Sequence, residues 1–354
     1  MAGCGGVSSP DGWAAPVLVD DVLYVSLDGG ELSAIDASGE PLTQLWTFGN
    51  DDSFACDNEN AEKRRDLRAI YGAPVVDGDR VYLGAYDGNV YALSVSDGHC
   101  LWVFDGTDGP IIGGLAMADG VLYVPSDDGN LYGLDPEDGS LKKGPFDAGD
   151  AIWAAPLIVD DAIYFATVGG TVWARTARDL HPMWTFETGA GLITDPVITG
   201  DVLVVGGIGE KLFGLDPANG KQLWDKPFKG DNWFWGRPAF EGQTMFFPNL
   251  DHKVYAIDAR TGEPAWAKPF EANEAIHSSP VLVDGVLTVV DRKGNVFSLD
   301  PATGQQNRVA LLLDARVLAD QIEFEGEVLI LTQGGGLHEL DPAEGTLRRL
   351  EFAR

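Results

Sequence analysis

The sequence predicts an all-β protein, a single eight-bladed β-propeller of four-stranded antiparallel blades, and three observations carry that expectation. One motif recurs along the 354 residues at intervals near 40. Short runs of alternating apolar and polar residues precede each copy and stop at Gly, Asp or Pro, as strands of a meander do. Helical periodicity is nearly absent, and the stretch 57–70, DNENAEKRRDLRAI, is the one place where a helical turn is expected.

The copies are YALSVSDGHCLW (91–102), YGLDPEDGSL (132–141), FGLDPANGKQLW (213–224), YAIDARTGEPAW (255–266), FSLDPATGQQ (297–306) and HELDPAEGTL (338–347), with looser versions at 32–46 and 172–184. Eight units result, anchored at Pro16, Pro74, Leu115, Pro156, Pro196, Pro238, Pro280 and Leu318, in steps of 58, 41, 41, 40, 42, 42 and 38. A four-stranded unit of about 40 residues cannot bury both faces of its sheet alone. Tandem units solve this by closing into a ring, which leaves only short protected edges.

Taken in chain order, residues 1–12 read as a flexible N-terminal segment and 13–354 as the propeller. Within MAGCGG, Cys4 resembles the end of a bacterial lipobox, which makes it a lipidation site with residues 5–12 as a short tether. Unit 1 is followed by the one long insertion, residues 49–68, acidic in its first half and basic at Lys63, Arg64, Arg65 and Arg68. Cys56 in this insertion and Cys100 in unit 2 are the other two of three cysteines, and a disulfide between them is expected. Cys100 stands two residues before Trp102, so strand alternation places both side chains on one face. Unit 8 closes the ring with its own last strand, TLRRLEF (346–352).

The turn D-P-x-x-G joins the third and fourth strands, Pro presetting φ and Gly accepting positive φ. Trp46, Trp102, Trp184, Trp224 and Trp266 then fall on outermost strands, where they pack between blades. Lys143, Arg308 and Arg349 hold that position in units 3, 7 and 8, whose joints are expected to be weaker or packed differently. This repeat resembles the PQQ-like repeat, the tryptophan-docking unit of quinoprotein dehydrogenases and of BamB-type outer-membrane assembly lipoproteins. The resemblance spans residues 13–352 and implies a propeller; the motif describes the blade, not a site.

The formal charge of -31 excludes nucleic acid and an anionic membrane face as partners. An acidic surface keeps a protein soluble, attracts cationic partners, and reads equally as salt adaptation. No apolar run reaches the roughly 18–20 residues of a spanning helix. The five histidines, 99, 181, 252, 277 and 338, lie singly in different units, so no metal site and no catalytic residue is expected. A quinoprotein enzyme needs a pocket-building insertion, an ion held by carboxylates and often adjacent cysteines over the cofactor; none is legible, and no cofactor is expected. The acidic half of the insertion offers a Ca²⁺ site as an alternative.

Positions three before each anchor, Trp13, Tyr71, Ile112, Trp153, Ile193, Trp235, His277 and Ala315, are expected to ring the axial opening on the face that carries the insertion. Unit 6 adds Trp233 and Arg237 in DNWFWGRP. Trp and Arg dominate binding hot spots, which makes Trp13, Tyr71, Trp153, Trp233, Trp235, Arg237 and His277, with Lys63, Arg64, Arg65 and Arg68, the expected docking residues. Plugging the channel and salt-bridging the loop are the structural alternatives. The function this implies is a non-catalytic, extracytoplasmic, lipid-anchored monomer that docks protein partners and meets the membrane only through its anchor. A redox enzyme or a carbohydrate-binding propeller is the alternative.

Overall fold

The computed structural model describes residues 12–27, 30–49, 56–58 and 67–353. Eight antiparallel meanders occupy 17–48, 75–104, 116–147, 157–187, 197–229, 239–271, 281–312 and 322–349, and they form an eight-bladed propeller. In each blade a three-residue strand lies innermost and the following strands pair outward in sequence order. The stretch 57–70 is non-helical at its described residues 57–58 and 67–70.

The core is distributed as eight apolar layers, one between each pair of neighbouring blades, because every sheet has two faces to cover. Leu23, Val25 and Ile35 of blade 1 meet Leu329, Leu331 and Leu337 of blade 8 in the layer that closes the ring. Closure also uses a strand that the repeat pattern assigned elsewhere. The outer strand of blade 8 ends at Arg349, and Phe352–Ala353 crosses to pair parallel with Leu42 and Thr43 as a fifth strand of blade 1. Phe352 packs, partly buried, against the closing apolar layer.

Blade 8 corrects the repeat register as well. Its first strand is Ile322–Phe324, so Gln321 and not Leu318 occupies the anchor position, and the last step is 41. Leu318 imitated the anchor by hydrophobicity, but the pairing of Ile322 with Leu329 sets the strand.

Trp46, Trp102, Trp184, Trp224 and Trp266 each lean on the next blade and donate their indole N–H to a backbone carbonyl there. The acceptors are Val95, Pro136, Pro217, Ala259 and Pro301, at 2.8–3.0 Å. Each ring lies over the turn glycine of that blade: Gly98, Gly139, Gly220, Gly262 or Gly304. The glycine is required twice over, since φ is about +71 to +73° and a Cβ would stand 2.4–2.6 Å from the indole.

In blades 1, 2 and 4 a β-bulge precedes the Trp, at Leu45, Leu101 and Met183. The bulge corrects the expectation for blade 2: Cys100 faces blade 1 and Trp102 faces blade 3, because Leu101 interrupts the alternation. In blades 5 and 6 Trp224 and Trp266 lie in a break between an isolated bridge and a two-residue outer strand, not within that strand.

Joints without Trp are packed differently. Arg308 takes the indole's place over Gly345 and donates to the Ala343 carbonyl. At the joint of blades 3 and 4, Phe146 packs edge-on against Trp173 at 5.1 Å and carries the Arg175 guanidinium 3.9 Å above its ring. At the closing joint Arg348, the neighbour of Arg349, bridges Glu339 and Glu40, each at 2.6 Å.

Candidate functional site

The innermost strands converge on the axis, and their lead-in segments pass over its end before each strand begins. Trp13, Tyr71, Ile112, Trp153, Ile193, Trp235 and His277 thereby line one cavity with about 130 Å³ of room. Blade 8 contributes Leu318 in place of Ala315, as its shifted register requires.

Four of these residues are linked through their rings. Trp13 meets Tyr71 edge-on at 4.3 Å between centroids and Trp235 at 6.4 Å, and Trp235 lies 6.0 Å from His277. Tyr71 packs on Tyr86, and the Trp153 indole donates to Asp127 Oδ1 at 2.6 Å. Tyr86 and Asp127 belong to turns between second and third strands, so these turns and the lead-in segments share one face of the ring.

A second tier lies two positions before each first strand, next to the anchor. In blades 1 to 4 it is Ala15, Ala73, Gly114 and Ala155; in blades 5 to 8 it is Asp195, Arg237, Ser279 and Asp320. Arg237 Nε donates to Asp195 Oδ2 at 2.5 Å, and the Arg237 side chain stays half-exposed toward the opening. The Asp195 carboxylate is the main cause that raises the Arg237 pKa. Burial raises the Asp320 carboxyl against two hydrogen bonds from Ser279 that lower it. Burial, aided by Arg292 and Arg316, holds His277 down at about 4, so its imidazole is neutral at pH 7.

The remaining docking candidates separate. Trp233 is 42% exposed and stands outside the cavity that takes Trp235 and Arg237, with buried Phe234 between them. Arg68 is exposed, at φ +61°, and does not line the cavity. Lys63, Arg64, Arg65 and Cys4 lie outside the described residues. Cys56 and Cys100 form a disulfide in the layer between blades 1 and 2, away from the axis. Sequence reading passed over Asp195, Ser279, Asp320 and Asp127. Three of them, with Arg237, were visible as polar residues in a repeat column that is Ala or Gly in blades 1 to 4.

The family model described as outer membrane protein assembly factor BamB matches residues 6–143, 111–233 and 228–350. The chain belongs to this family. Its curated relatives include the outer membrane protein assembly factors BamB of Salmonella typhimurium, 24% identical over 161 residues, and of Escherichia coli, 23% identical over the same length. These matches cover 46% of this chain and 36% of each relative. Among solved structures, BamB from Moraxella catarrhalis superposes with a TM-score of 0.70 at 17% identity, covering 92% of this chain and 93% of that one. The computationally designed Ika8 protein gives 0.73 at 15%, covering 93% and 96%. At such identities the structural likeness is one of fold. The family relation and the axial geometry together frame the function of this propeller.

Proposed function

We propose that this chain is a non-catalytic, extracytoplasmic scaffold that docks protein partners on the axial face, held at the membrane through a lipid on Cys4. The observation that carries the reading is the rim of Trp13, Tyr71, Trp153 and Trp235 gathered around a half-exposed Arg237. Aromatic area beside a charged fork is what binding hot spots are made of. The relatives' name, outer membrane protein assembly factor, supports a protein partner and an envelope location. Lys63, Arg64, Arg65 and Arg68 of the insertion add a salt-screened component to this docking.

The side chains around the cavity do not fit a quinone with its metal ion. Among the described residues no group of three or more His, Cys, Asp or Glu converges to hold a metal. Of the two carboxylates that line the cavity, Asp195 is engaged by Arg237 and by the Ala155 amide, and Asp320 by Ser279.

The test is capture of a partner from an envelope extract by wild type and by a Trp235→Ala, Arg237→Ala double variant. The variant keeps its melting temperature within a few degrees and loses the partner captured by wild type. Full capture by the folded variant refutes the axial face as the docking surface.

A further inference from the structure

We propose that the axial cavity captures a carboxylate, that of a partner chain ending in an apolar residue, on the backbone N–H groups of Ala15, Ala73 and Gly114. This deepens the docking reading above and rests on it.

The argument is one of broken symmetry. In the second tier, the N–H of one blade points at the side chain of the next. Three of these pairs are filled: Ala155 N–H donates to Asp195 Oδ1 at 2.6 Å, Arg237 N–H to Ser279 Oγ at 2.7 Å, and Ser279 N–H to Asp320 Oδ1 at 2.7 Å. To the amides of blades 1, 2, 3, 5 and 8 the next blade offers Ala73, Gly114, Ala155, Arg237 and Ala15, whose side chains accept nothing; those of blades 1 to 3 are consecutive and belong to residues without a carboxylate of their own. The amides of Ala15, Ala73 and Gly114 accordingly meet no acceptor among the described residues, and all three residues line the cavity. A Cβ on Gly114 would stand 3.8 Å from the Ala73 nitrogen, so the two blades' tiers are neighbours here. Inward amide groups left without acceptors form an anion-binding arc.

The rest of the cavity favours the same ligand. Asp195 is neutralised by Arg237, and Asp320 is engaged by Ser279. His277 has a buried Nδ1 without a partner, and Arg292 and Arg316 act on it electrostatically. A carboxylate on the open arc repeats what Asp195 does on the Ala155 amide. Trp13, Tyr71 and Trp153 stand beside that arc, so the group attached to the carboxylate is apolar. About 130 Å³ of room admits the end of a chain.

Three peptides test this by fluorescence titration and calorimetry: acetyl-Ala-Phe with a free carboxylate, its C-terminal amide, and acetyl-Phe-Glu-amide. The free acid binds, and the amide binds at least about tenfold more weakly, since a charged acceptor becomes a neutral one. Ala73→Asp hangs a carboxylate on the Ala15 amide and weakens the free acid by at least about tenfold while the fold is kept. If that variant does not fold, Ala155→Asp, which caps the Gly114 amide, serves the same purpose.

Equal binding of acid and amide, undiminished binding to a folded Asp variant, or no binding of the acid overturns the proposal. Tighter binding of the Glu peptide overturns the chain-end assignment. The two readings fail separately. If the peptides do not bind but the Trp235→Ala, Arg237→Ala variant still loses its partner, the docking face stands without the carboxylate site. If the acid binds as described but that variant keeps its partner, the carboxylate site stands and the docking reading falls.

Discussion

Alanine at Gly262 drives a methyl group into the indole of Trp224. The glycine sits at φ +73°, and a Cβ there would come within 2.4 Å of the ring. Gly242 is the matched control, at φ +58° with no atom within 4 Å of its Cβ position. Backbone strain alone makes Gly242→Ala cost about 1–2 kcal/mol. Trp224 is 2% exposed and donates to the Ala259 carbonyl at 2.8 Å. Displacing such a ring forfeits roughly 200 Å² of burial, about 5 kcal/mol at ~25 cal/mol/Å², close to the ~3–5 kcal/mol measured for large aromatic truncations. Gly262→Ala is therefore expected to cost about 4–6 kcal/mol, some 3–4 more than the control. With Trp224→Ala already in place, the same substitution should cost only the strain, a coupling of about 3 kcal/mol. Urea unfolding of the four proteins in this cycle, with Gly242→Ala beside them, provides the measurement. Equal costs for the two glycines, or additive effects in the cycle, would refute the role given to the docked ring.

Arg308 fills an indole slot over Gly345, so Arg308→Trp should stabilise the joint of blades 7 and 8 by about 1–2 kcal/mol in the same assay; a destabilised variant would show that the slot does not accept the ring. Thiol titration of the denatured, unreduced chain should leave Cys56 and Cys100 unreactive, and Cys100→Ser should cost up to about 4 kcal/mol, the chain-entropy value for residues 44 apart. Three reactive thiols would contradict the bridge. His277, whose pKa is lowered from 6.5 to about 4, takes up its proton in the unfolded chain before the folded one. Its contribution is fully present above pH 6.5 and is lost as pH falls through 4, a loss of up to about 3 kcal/mol. Stability measured at pH 7 and pH 4 should therefore converge between wild type and His277→Asn if the variant starts lower, and parallel pH curves would remove His277 as the titrating group.

What could be read from the chain was whatever repeats. Strand order and turn chemistry recur at every unit and the docking tryptophans at five of the eight, and a pattern repeated so often averages out the noise of any single copy. The lead-in residues were legible for the same reason, and Trp13, Tyr71, Trp153, Trp235 and His277 do line the axial cavity. The misreadings sit where one copy departs from the others. Blade 8 has Gln321 where seven blades carry Pro or Leu, so the hydrophobic Leu318 captured the register. The bulge at Leu101 turned Cys100 and Trp102 to opposite faces, because alternation holds only while the ladder is unbroken.

By itself, then, the sequence determined the ring: period, turn chemistry and the indole positions are local properties, and eight sheets that each have two faces to cover admit closure as their solution. Tertiary structure alone decided what the ring does at its axis and at its seam. Asp195 acquires its meaning from Arg237, 42 residues away, and from the Ala155 amide, 40 residues away. The open amides of Ala15, Ala73 and Gly114 are defined by side chains that the neighbouring blades lack. Phe352 leaves blade 8 to pair with blade 1, where it is partly buried against the closing layer. Each of these depends on contacts between different repeats, and the spacing within one repeat carries no record of what stands beside it.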